Sequence, residues 1–576
     1  MKILIEEEEY ITRDIVEWVD GIQQIDLHKE KMKIMFVGYF YHPQKKDFVY
    51  FLPKNVLDKN KYVLGHEEIT AQKLFECGTE MLEDDEQTFI KKLPIWIYRV
   101  LNRYARENPK TSILVRRTAV RVDLSPQQKE VTLLDIILSI EKFCQDNRSL
   151  LKFIYADHQQ GFSKINWKKT IARCRPIIKK DKAPYYYEPY TKAKEIDRKE
   201  ELFAIFFSMV KYINSQYGTS IPTSDFVELY SEDEFKSLIS GRGKQILAKI
   251  RNLYFSDREK MMWALCNAFF RYQEKVSSSS MVEDCLLAYK FDRVFEAMID
   301  DLVGDRKFET LKQQDDNKII DHLFKYKSLT QENKEVFYIG DSKYYETEHD
   351  LKGSSSEYKE YTYAKNIIQR NVNFELMSED DRKREKHDMY CERCRDSLTE
   401  GYDITPNFFI SSIVRPEPEH LAFSHREPIL RYKEPYSSKQ YNNRLFDRDT
   451  LFVFYFDIDF PAVVYMYACN NKGEKKRFKE DFRNKVYTSA QDYLFANYTF
   501  YELSLRDKHH TLVYAVSMIF KTIIGKVYRV DSNSNTLLLA IEKGKKHDSE
   551  NEEVMRTVKT YFEEKKLDRN ALWQKI

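Results

Sequence analysis

Two apolar, aromatic-rich runs within residues 319–345 constrain the fold more than any other part of the chain. The first run carries Asp321, and the second contains the triplet Asp341, Ser342 and Lys343. Side chains at positions i and i+2 of a β-strand point to the same face, so Asp341 and Lys343 are expected to project together. Two carboxylates and an ammonium at one edge of a sheet can hold a divalent cation beside a phosphate. The stretch therefore predicts two strands that carry a metal-dependent site.

An acid-x-lysine triplet occurs often by chance in a chain that is 32% charged, so the flanking sequence has to support it. Upstream, residues 281–303 have helical spacing of apolar residues, with Glu296 beside the apolar face. Glu296 is a candidate member of the site, and the alternative is a solvated helical glutamate. The apolar residues that define this predicted helix are Leu286, Phe291, Phe295, Met298 and Leu302.

The downstream flank, residues 357–370, also predicts a helix that packs against the sheet. Its apolar stripe consists of Tyr358, Tyr361, Ala364, Ile367 and Ile368. This helix could offer Lys359 and Lys365 to DNA, and solvated lysines on an outer face are the alternative. Gly340, just before Asp341, predicts a point where the backbone can approach a ligand closely.

A second candidate surface lies in residues 161–192, where basic and aromatic residues alternate. Lys164, Trp167, Lys168 and Lys169 are its core. Such a mixture can bind a phosphate backbone and stack on bases. The alternative is an edge strand whose lysines lie along apolar surface with their charges in water.

The overall charge argues against attraction of the whole protein to DNA or membranes. The 94 basic and 92 acidic residues leave a net charge of +2, so any nucleic-acid contact must be local. The most apolar segment, residues 451–469, is interrupted by Asp457, Asp459 and Pro461, which favours buried strands over a membrane span. The acidic N-terminus lacks the pattern of a secretory signal, so a cytoplasmic location is expected.

The cysteine and glycine patterns do not define a disulfide framework or a phosphate-binding loop. The eight cysteines have no disulfide-framework spacing. Cys391 and Cys394 form one C-x-x-C with His387 nearby, and zinc binding there is left open because a second pair is missing. The sequence SGRGKQ at 240–245 lacks phosphate-loop spacing and is predicted to be a turn and helix start. We expect no nucleotide to bind this chain.

Composition and length indicate a folded chain of several domains. The first predicted unit is a β-rich module at 1–65 that contains a hairpin at 33–52. The second is a mainly helical region at 66–275 that binds DNA or a partner. A core domain at 281–545, with an insertion near 375–400, and a charged C-terminal helix at 546–576 follow.

The order of the helix with Glu296, the strand with Asp321, the strand with Asp341 and Lys343, and a further helix matches the PD-(D/E)xK nuclease core. The segments at 339–345, 398–411 and 443–460 resemble the LlaJI-type restriction endonucleases, relatives of the McrC subunits of McrBC systems. Segments at 36–54 and 164–171 are similar to the N-terminal half of that group. The resemblance implies an α/β (α+β overall) fold with a mixed central sheet flanked by helices.

By position, the resemblance implies that Asp321, Asp341 and the backbone carbonyl of Ser342 bind Mg²⁺, with Mn²⁺ as an expected substitute. Lys343 would orient or help deprotonate the attacking water, and Glu296 would hold a water or a second ion. The family's leading Pro-Asp is replaced here by Ile320 and Asp321, and Asp341 stands where many relatives have Glu.

The resemblance further implies a prokaryotic restriction and anti-phage enzyme that cuts double-stranded DNA. A separate McrB-like AAA+ GTPase is the expected partner, because no nucleotide-binding loop is present in this sequence. Two alternatives stay open: a non-catalytic DNA-binding scaffold, and a restriction enzyme that needs no GTP. A cognate DNA methyltransferase and a homo-oligomeric state are also left open.

Overall fold

The computed structural model describes the chain apart from a set of short stretches. The residues not described are 1, 21, 23–29, 43, 46, 118–119, 123–128, 148–152, 160–162, 179, 181, 199, 218, 220, 279–283, 315–317, 332–333, 345–354, 385–389, 391–394, 424–428, 440–441, 508, 532–533 and 570–576. Cys391, Cys394 and His387 are among them, so the zinc prediction lies outside the described residues.

The first half of the chain alternates short strands with helices. Its elements are β1 (Lys2–Ile5), β2 (Glu9–Ile11), α1 (Thr12–Val19), β3 (Lys31–Lys33), β4 (Val37–His42), β5 (Asp47–Leu52), α2 (Ala71–Cys77), α3 (Asp84–Glu107), β6 (Leu114–Arg117), β7 (Val120–Val122), β8 (Lys129–Val131), α4 (Leu133–Asp146), β9 (Phe153–Gln159), β10 (Lys164–Ile165), α5 (Trp167–Arg173), β11 (Ile177–Ile178), β12 (Pro184–Tyr185), β13 (Tyr190–Ile196), α6 (Glu201–Tyr217), α7 (Glu232–Ser237), α8 (Gly243–Ile250), α9 (Asp257–Ser278) and β14 (Asp284–Ala288).

The second half contains the longer strands. Its elements are α10 (Phe291–Val303), α11 (Glu309–Lys312), β15 (His322–Lys327), β16 (Glu335–Lys343), α12 (Ser355–Leu376), α13 (Glu379–Arg384), β17 (Pro406–Ile413), α14 (Pro418–Leu421), β18 (Ile429–Lys439), β19 (Thr450–Asp459), α15 (Phe460–Cys469), α16 (Lys472–Asn497), β20 (Tyr498–Leu505), α17 (Leu512–Ile523), β21 (Val527–Tyr528), β22 (Thr536–Glu542), α18 (Asp548–Tyr561) and β23 (Phe562–Leu567).

The N-terminal sheet has the order β1-β5-β4-β14-β6. The predicted hairpin is confirmed, because β4 and β5 pair antiparallel. The prediction of one helix over 281–303 is wrong at its start: residues 284–288 form β14, which pairs with β4 and β6, and the helix begins at Phe291. Leu286 is therefore a core residue of the first sheet, and the predicted boundary at 281 separates β14 from the sheet it joins.

The central sheet has the order β15-β16-β17-β19-β18. The β15–β16 and β18–β19 pairs are antiparallel, whereas β16–β17 and β17–β19 are parallel. Helix α10 packs on β15 and β16, α12 packs on β16, and α16 packs on β18 and β19. The predicted fold class, an α/β protein with a mixed central sheet flanked by helices, is thus confirmed.

Two details of this layer differ from the sequence predictions. Gly340 makes room for a side chain of the neighbouring strand: a Cβ there would lie 2.2 Å from the Phe408 ring, so the prediction of close ligand approach at Gly340 is wrong. In α12, Tyr361, Ala364 and Ile367 are buried as predicted, but Tyr358 is 63% exposed and does not belong to the apolar stripe.

The C-terminal part forms a smaller sheet in the order β21-β22-β20-β23. The prediction of a helix over 546–576 is wrong at its end: α18 stops at Tyr561, and residues 562–567 form β23, which pairs with β20. The apolar segment at 451–469 was predicted as strands throughout, but only its first half is a strand. Its second half is helix α15, which starts at Phe460 with Pro461 in the first turn, a favoured place for proline. No helix in the described ranges is long and apolar enough to cross a membrane.

We expect Asp284→Asn to reduce the pH dependence of stability. The Tyr39 hydroxyl donates to Oδ1 of Asp284 at 2.6 Å, and the Leu133 N–H donates to Oδ2 at 2.8 Å. Full burial outweighs these bonds and raises the pKa of Asp284 from 3.8 to about 6. The unfolded chain then releases this proton at lower pH than the folded chain does. The wild type therefore loses roughly 3 kcal/mol of unfolding free energy from this group as the pH rises from about 4 to about 7.

Asparagine does not titrate, yet its amide can accept from the Leu133 N–H and donate to the Tyr39 hydroxyl. Urea unfolding of both proteins at pH 4.5 and pH 7 measures the effect. The free energy of unfolding of the variant should rise relative to that of the wild type as the pH increases. A difference between the two proteins that is constant with pH would contradict the assignment.

Candidate active site

The register of β15 and β16 brings the predicted acids together. His322 pairs with Gly340, and continuing that antiparallel register by one residue places Asp321 opposite Asp341. Asp341 and Lys343 share a face of β16, as predicted from the period of two. The Lys343 Nζ lies 2.6 Å from Oδ2 and 3.0 Å from Oδ1 of Asp341. The structure thus places Asp321, Asp341 and Lys343 in one cluster.

The two aspartates interact directly. Burial is the main cause that raises the pKa of Asp321 far above its usual range, and the hydrogen bond and negative charge of Asp341 add to it. Burial also acts to raise the pKa of Asp341, but the hydrogen bond from Asp321 and the positive charge of Lys343 outweigh it and lower that pKa. Asp321 is therefore the protonated donor, and Asp341 is the ionised acceptor.

Glu296 joins the same electrostatic cluster from helix α10. Burial raises the pKa of Glu296, although the positive charges of Arg293 and Lys343 partly oppose this shift. Arg293, one turn earlier, lies with its Nη1 3.0 Å from Oε2 of Glu296. Burial alone would lower the pKa of Lys343, but the carboxylates of Asp341, Asp321 and Glu296 raise it, so Lys343 carries an ammonium at neutral pH.

The donor set fits a hard divalent cation in its chemistry. Among the described residues, no three or more His, Cys, Asp or Glu side chains are already arranged as a metal site. Two carboxylates suffice for Mg²⁺, however, because this ion retains several waters. Asp321 keeps its proton because two buried carboxylates lie side by side, and a cation relieves that repulsion. Ser342 is buried with its hydroxyl on the opposite face, and the role of its carbonyl stays a prediction.

His322, which had no predicted role, belongs to a second cluster on the opposite face of β15. It is fully buried, with Nδ1 3.4 Å from Oδ1 of Asp300 on α10. The Lys312 ammonium lies 2.5 Å from the other oxygen of Asp300. These contacts join α10 and α11 to the start of β15, and so they support the strand end that carries Asp321.

The predicted nucleic-acid contacts lie in two other places. Lys365 of α12 is paired with Asp449 at 2.9 Å, whereas Lys359 is exposed on the same helix. In the module at 153–196, the Lys169 Nζ lies 3.0 Å from Oδ2 of Asp157 on β9, so this lysine holds α5 against the sheet. Lys164, Lys168 and Trp167 are exposed. The structure does not bring either group next to Asp341 by any described contact.

Two groups near the cluster were missed by sequence reasoning. Arg293 could have been found, because a basic residue three positions before Glu296 lies on the same side of a helix. Tyr344 directly follows Lys343, and its hydroxyl donates to Oε2 of Glu6 in the N-terminal unit. No sequence signal connects Glu6 with Tyr344, because 338 residues separate them.

Comparisons with known proteins place the chain in a family. The sequence model of the LlaJI restriction endonuclease family matches residues 71–390, a range that includes Glu296, Asp321, Asp341 and Lys343. No curated protein matches the chain significantly.

A solved assembly of Thermococcus gammatolerans McrB AAA+ hexamers with bound McrC aligns over 84% of this chain and 99% of its own chain, with 12% identity and a TM-score of 0.26. At so low a TM-score the alignment carries no argument about this chain. The family match, by contrast, covers more than half of the chain, so the chain belongs to the LlaJI restriction endonuclease family.

Proposed function

We propose that this chain is a Mg²⁺-dependent endonuclease of a restriction system that hydrolyses phosphodiester bonds in double-stranded DNA. The observation that carries the proposal is the cluster of the buried Asp341 with the half-buried Asp321 and Lys343 at one end of the central sheet. A structural salt bridge explains Asp341 and Lys343 but leaves the second, protonated carboxyl unexplained. A cation site beside a phosphate explains all three side chains.

Each residue of the cluster has a separate role in the proposed reaction. Asp321 and Asp341, with the carbonyl of Ser342, would hold the cation. Mg²⁺, when bound, supplies a Lewis acid for the phosphate and a bound water of lowered pKa. The Lys343 ammonium lies beside Asp341, where it can orient the attacking water and offset the negative charge that develops on the phosphate. Glu296 would hold a water molecule at the edge of the cluster.

The proposed partner is an AAA+ GTPase of the McrB type. Support for it comes from the resemblance of the sequence to McrC-like nucleases and from the lack of a phosphate-binding loop in this sequence. The glycine-containing segment at 240–245 joins α7 to α8 and has no strand before it, unlike a phosphate loop. This chain would then supply the cutting site, and the partner would supply nucleotide hydrolysis.

A cleavage assay tests the proposal. Purified protein is incubated with plasmid DNA and Mg²⁺, alone and with the candidate GTPase and GTP. Cutting only in the complete mixture supports the proposed partnership, and cutting without partner or GTP identifies a self-sufficient enzyme. DNA binding without cutting under all conditions, including Mn²⁺ in place of Mg²⁺, would favour the non-catalytic scaffold instead.

We further propose that the module at 153–196 contacts the DNA backbone. Among the described side chains of its three-stranded sheet, β10-β13-β9, only Thr191 is buried. Tyr155 is 73% exposed, and Lys194 lies opposite it in the β9–β13 register. Lys164 pairs with Lys192 across the other edge of β13. Exposed rings interleaved with unshielded ammonium groups are suited to stacking and to phosphate contact.

Replacing Lys164 and Lys168 together by alanine should weaken DNA binding and reduce its salt dependence. Each lost phosphate contact lowers the slope of log K against log salt by about one. Fluorescence anisotropy with a DNA duplex at several salt concentrations measures both quantities. Lys249→Ala is the matched control, because Lys249 is an exposed lysine on α8, outside the module. Equal affinities and slopes for all three proteins would remove the module from the DNA interface.

A further inference from the structure

The end of β16 that carries the proposed catalytic residues is held differently from the rest of the strand. Between Glu335 and Gly340, β16 pairs with β15 on one side. From Asp341 to Lys343, the described pairing is with β17 only, because the β15 register ends at Gly340. The catalytic end of β16 thus extends beyond β15 and pairs on one side only, with β17. Its position therefore depends also on the contacts of the residue that follows Lys343.

That residue is Tyr344, which is only 3% exposed. Its ring contacts Phe291 in an edge-on arrangement with centroids 5.4 Å apart, and it lies 6.0 Å from the ring of Phe295. Both phenylalanines belong to α10, the helix that carries Glu296. Tyr344 therefore packs against α10, the helix that carries Glu296, the third carboxylate of the cluster.

The hydroxyl of Tyr344 is anchored by the N-terminal unit. It donates to Oε2 of Glu6, a buried residue directly after β1. The Glu6 N–H in turn donates to the Leu52 carbonyl at the end of β5, at 2.9 Å. Glu6 is thus fixed by the first sheet, and its hydrogen bond fixes the position of the Tyr344 hydroxyl.

Lys54 adds a second contact between the same two parts. Its ammonium lies 5.0 Å from the centroid of the Tyr344 ring and 2.7 Å from Oε1 of Glu7. The next residue, Asn55, donates from Nδ2 to Oγ of Ser412 at 3.1 Å. Ser412 belongs to β17, the strand that pairs with the catalytic end of β16. The turn after β5 therefore contacts both strands at this end of the sheet.

We propose that Glu6 and Tyr344 are positioning residues of the nuclease site: the N-terminal sheet holds the end of β16 through their hydrogen bond and so sets the placement of Asp341 and Lys343. This inference rests on the proposed function. It assigns the N-terminal sheet a part in catalysis. Small displacements of catalytic groups are costly in rate, on the order of a hundredfold for about 1 Å.

Tyr344→Phe tests the proposal, and Tyr338→Phe is its matched control. Tyr338 lies on β16, the strand that Tyr344 directly follows; it is fully buried and donates its hydroxyl to the Lys327 carbonyl at 2.8 Å. Each variant loses one hydrogen bond from a buried tyrosine hydroxyl, so a lower thermal midpoint is expected for both. Positioning predicts that Tyr344→Phe lowers kcat for DNA cleavage by about tenfold to a hundredfold with KM unchanged, whereas Tyr338→Phe keeps the wild-type kcat.

A second pair of variants covers the case in which Tyr344→Phe does not fold. Glu6→Gln keeps an acceptor for the Tyr344 hydroxyl and should retain kcat within about twofold, whereas Glu6→Ala should lose it as Tyr344→Phe does. Equal kcat for Tyr344→Phe and Tyr338→Phe, or for the two Glu6 variants, would overturn the positioning role and leave the nuclease assignment intact. A wild-type protein that never cuts DNA would overturn both.

Discussion

Replacing Asp341 by alanine is expected to reduce DNA cleavage by about a thousandfold or more, and Lys343→Ala should have an effect of similar order. Asp341 is the ionised carboxylate of the cluster, so its removal takes away the principal anionic ligand for the cation. It also leaves the Lys343 ammonium without its 2.6 Å partner. Lys343→Ala leaves the carboxylates in place but removes the positive charge that would face the phosphate.

The measurement is the single-turnover rate of plasmid cleavage with Mg²⁺, in the mixture that supports cutting by the wild type. Lys327→Ala is a suitable control, because Lys327 is an exposed lysine at the opposite end of the β15–β16 hairpin. DNA binding measured by anisotropy should persist in Asp341→Ala, since affinity for DNA depends mainly on phosphate contacts elsewhere. If Asp341→Ala and Lys343→Ala cut as fast as the wild type, the site is assigned to the wrong residues.

The part of this site that the sequence predicts is the part that depends on local geometry. Alternation along a strand is enough to place Asp341 and Lys343 on one face, because it involves only two adjacent positions. Placing Asp321 beside them requires the register of the hairpin, which a single sequence does not fix. The order of elements gave the correct partner here, since consecutive strands usually lie side by side.

The sequence-based prediction of the fold is wrong where a short apolar run fits both a strand and a helix. The sequence pattern predicts residues 284–288 to be part of the following helix, but this run is buried on both faces and pairs with β4 and β6. Its partners lie more than 160 residues earlier in the chain, so no local signal marks it. Residues 460–469 are equally apolar all round, and only Pro461 indicates the change from strand to helix.

Contacts between distant segments account for the rest of what sequence reasoning missed. The hydrogen bond between Tyr344 and Glu6 joins the first sheet to the end of β16, and the carboxyl network at Asp284 joins β14 to β4 and to the start of α4. Each requires the complete fold before the two groups meet. The exposure of Lys168 and the pairing of Lys169 with Asp157 likewise depend on how α5 lies on its sheet.

Asp321→Asn should separate stability from function more sharply than any other change in the cluster. In the metal-free protein Asp321 is the protonated partner of Asp341, because burial and the neighbouring charge raise its pKa. Asparagine has nearly the same shape and can donate its amide N–H to the Asp341 carboxylate. The thermal midpoint without Mg²⁺ should therefore equal or exceed that of the wild type. Cleavage should fall by about a hundredfold or more, because a neutral amide is a weak ligand for Mg²⁺.

Mg²⁺ binding gives a readout that does not depend on cleavage. A ligand that binds only the folded state raises its stability, so the thermal midpoint of the wild type should increase with Mg²⁺ concentration. Asp321→Asn should show little or no increase, and calorimetric titration should show correspondingly weaker binding. A scaffold with a merely structural acidic cluster makes the opposite prediction: no response to Mg²⁺ in the wild type, and DNA binding that is the same with and without the ion. Equal Mg²⁺ responses in both proteins would instead place the ion away from Asp321, with Asp341 and Glu296 as the remaining carboxylates that could bind it.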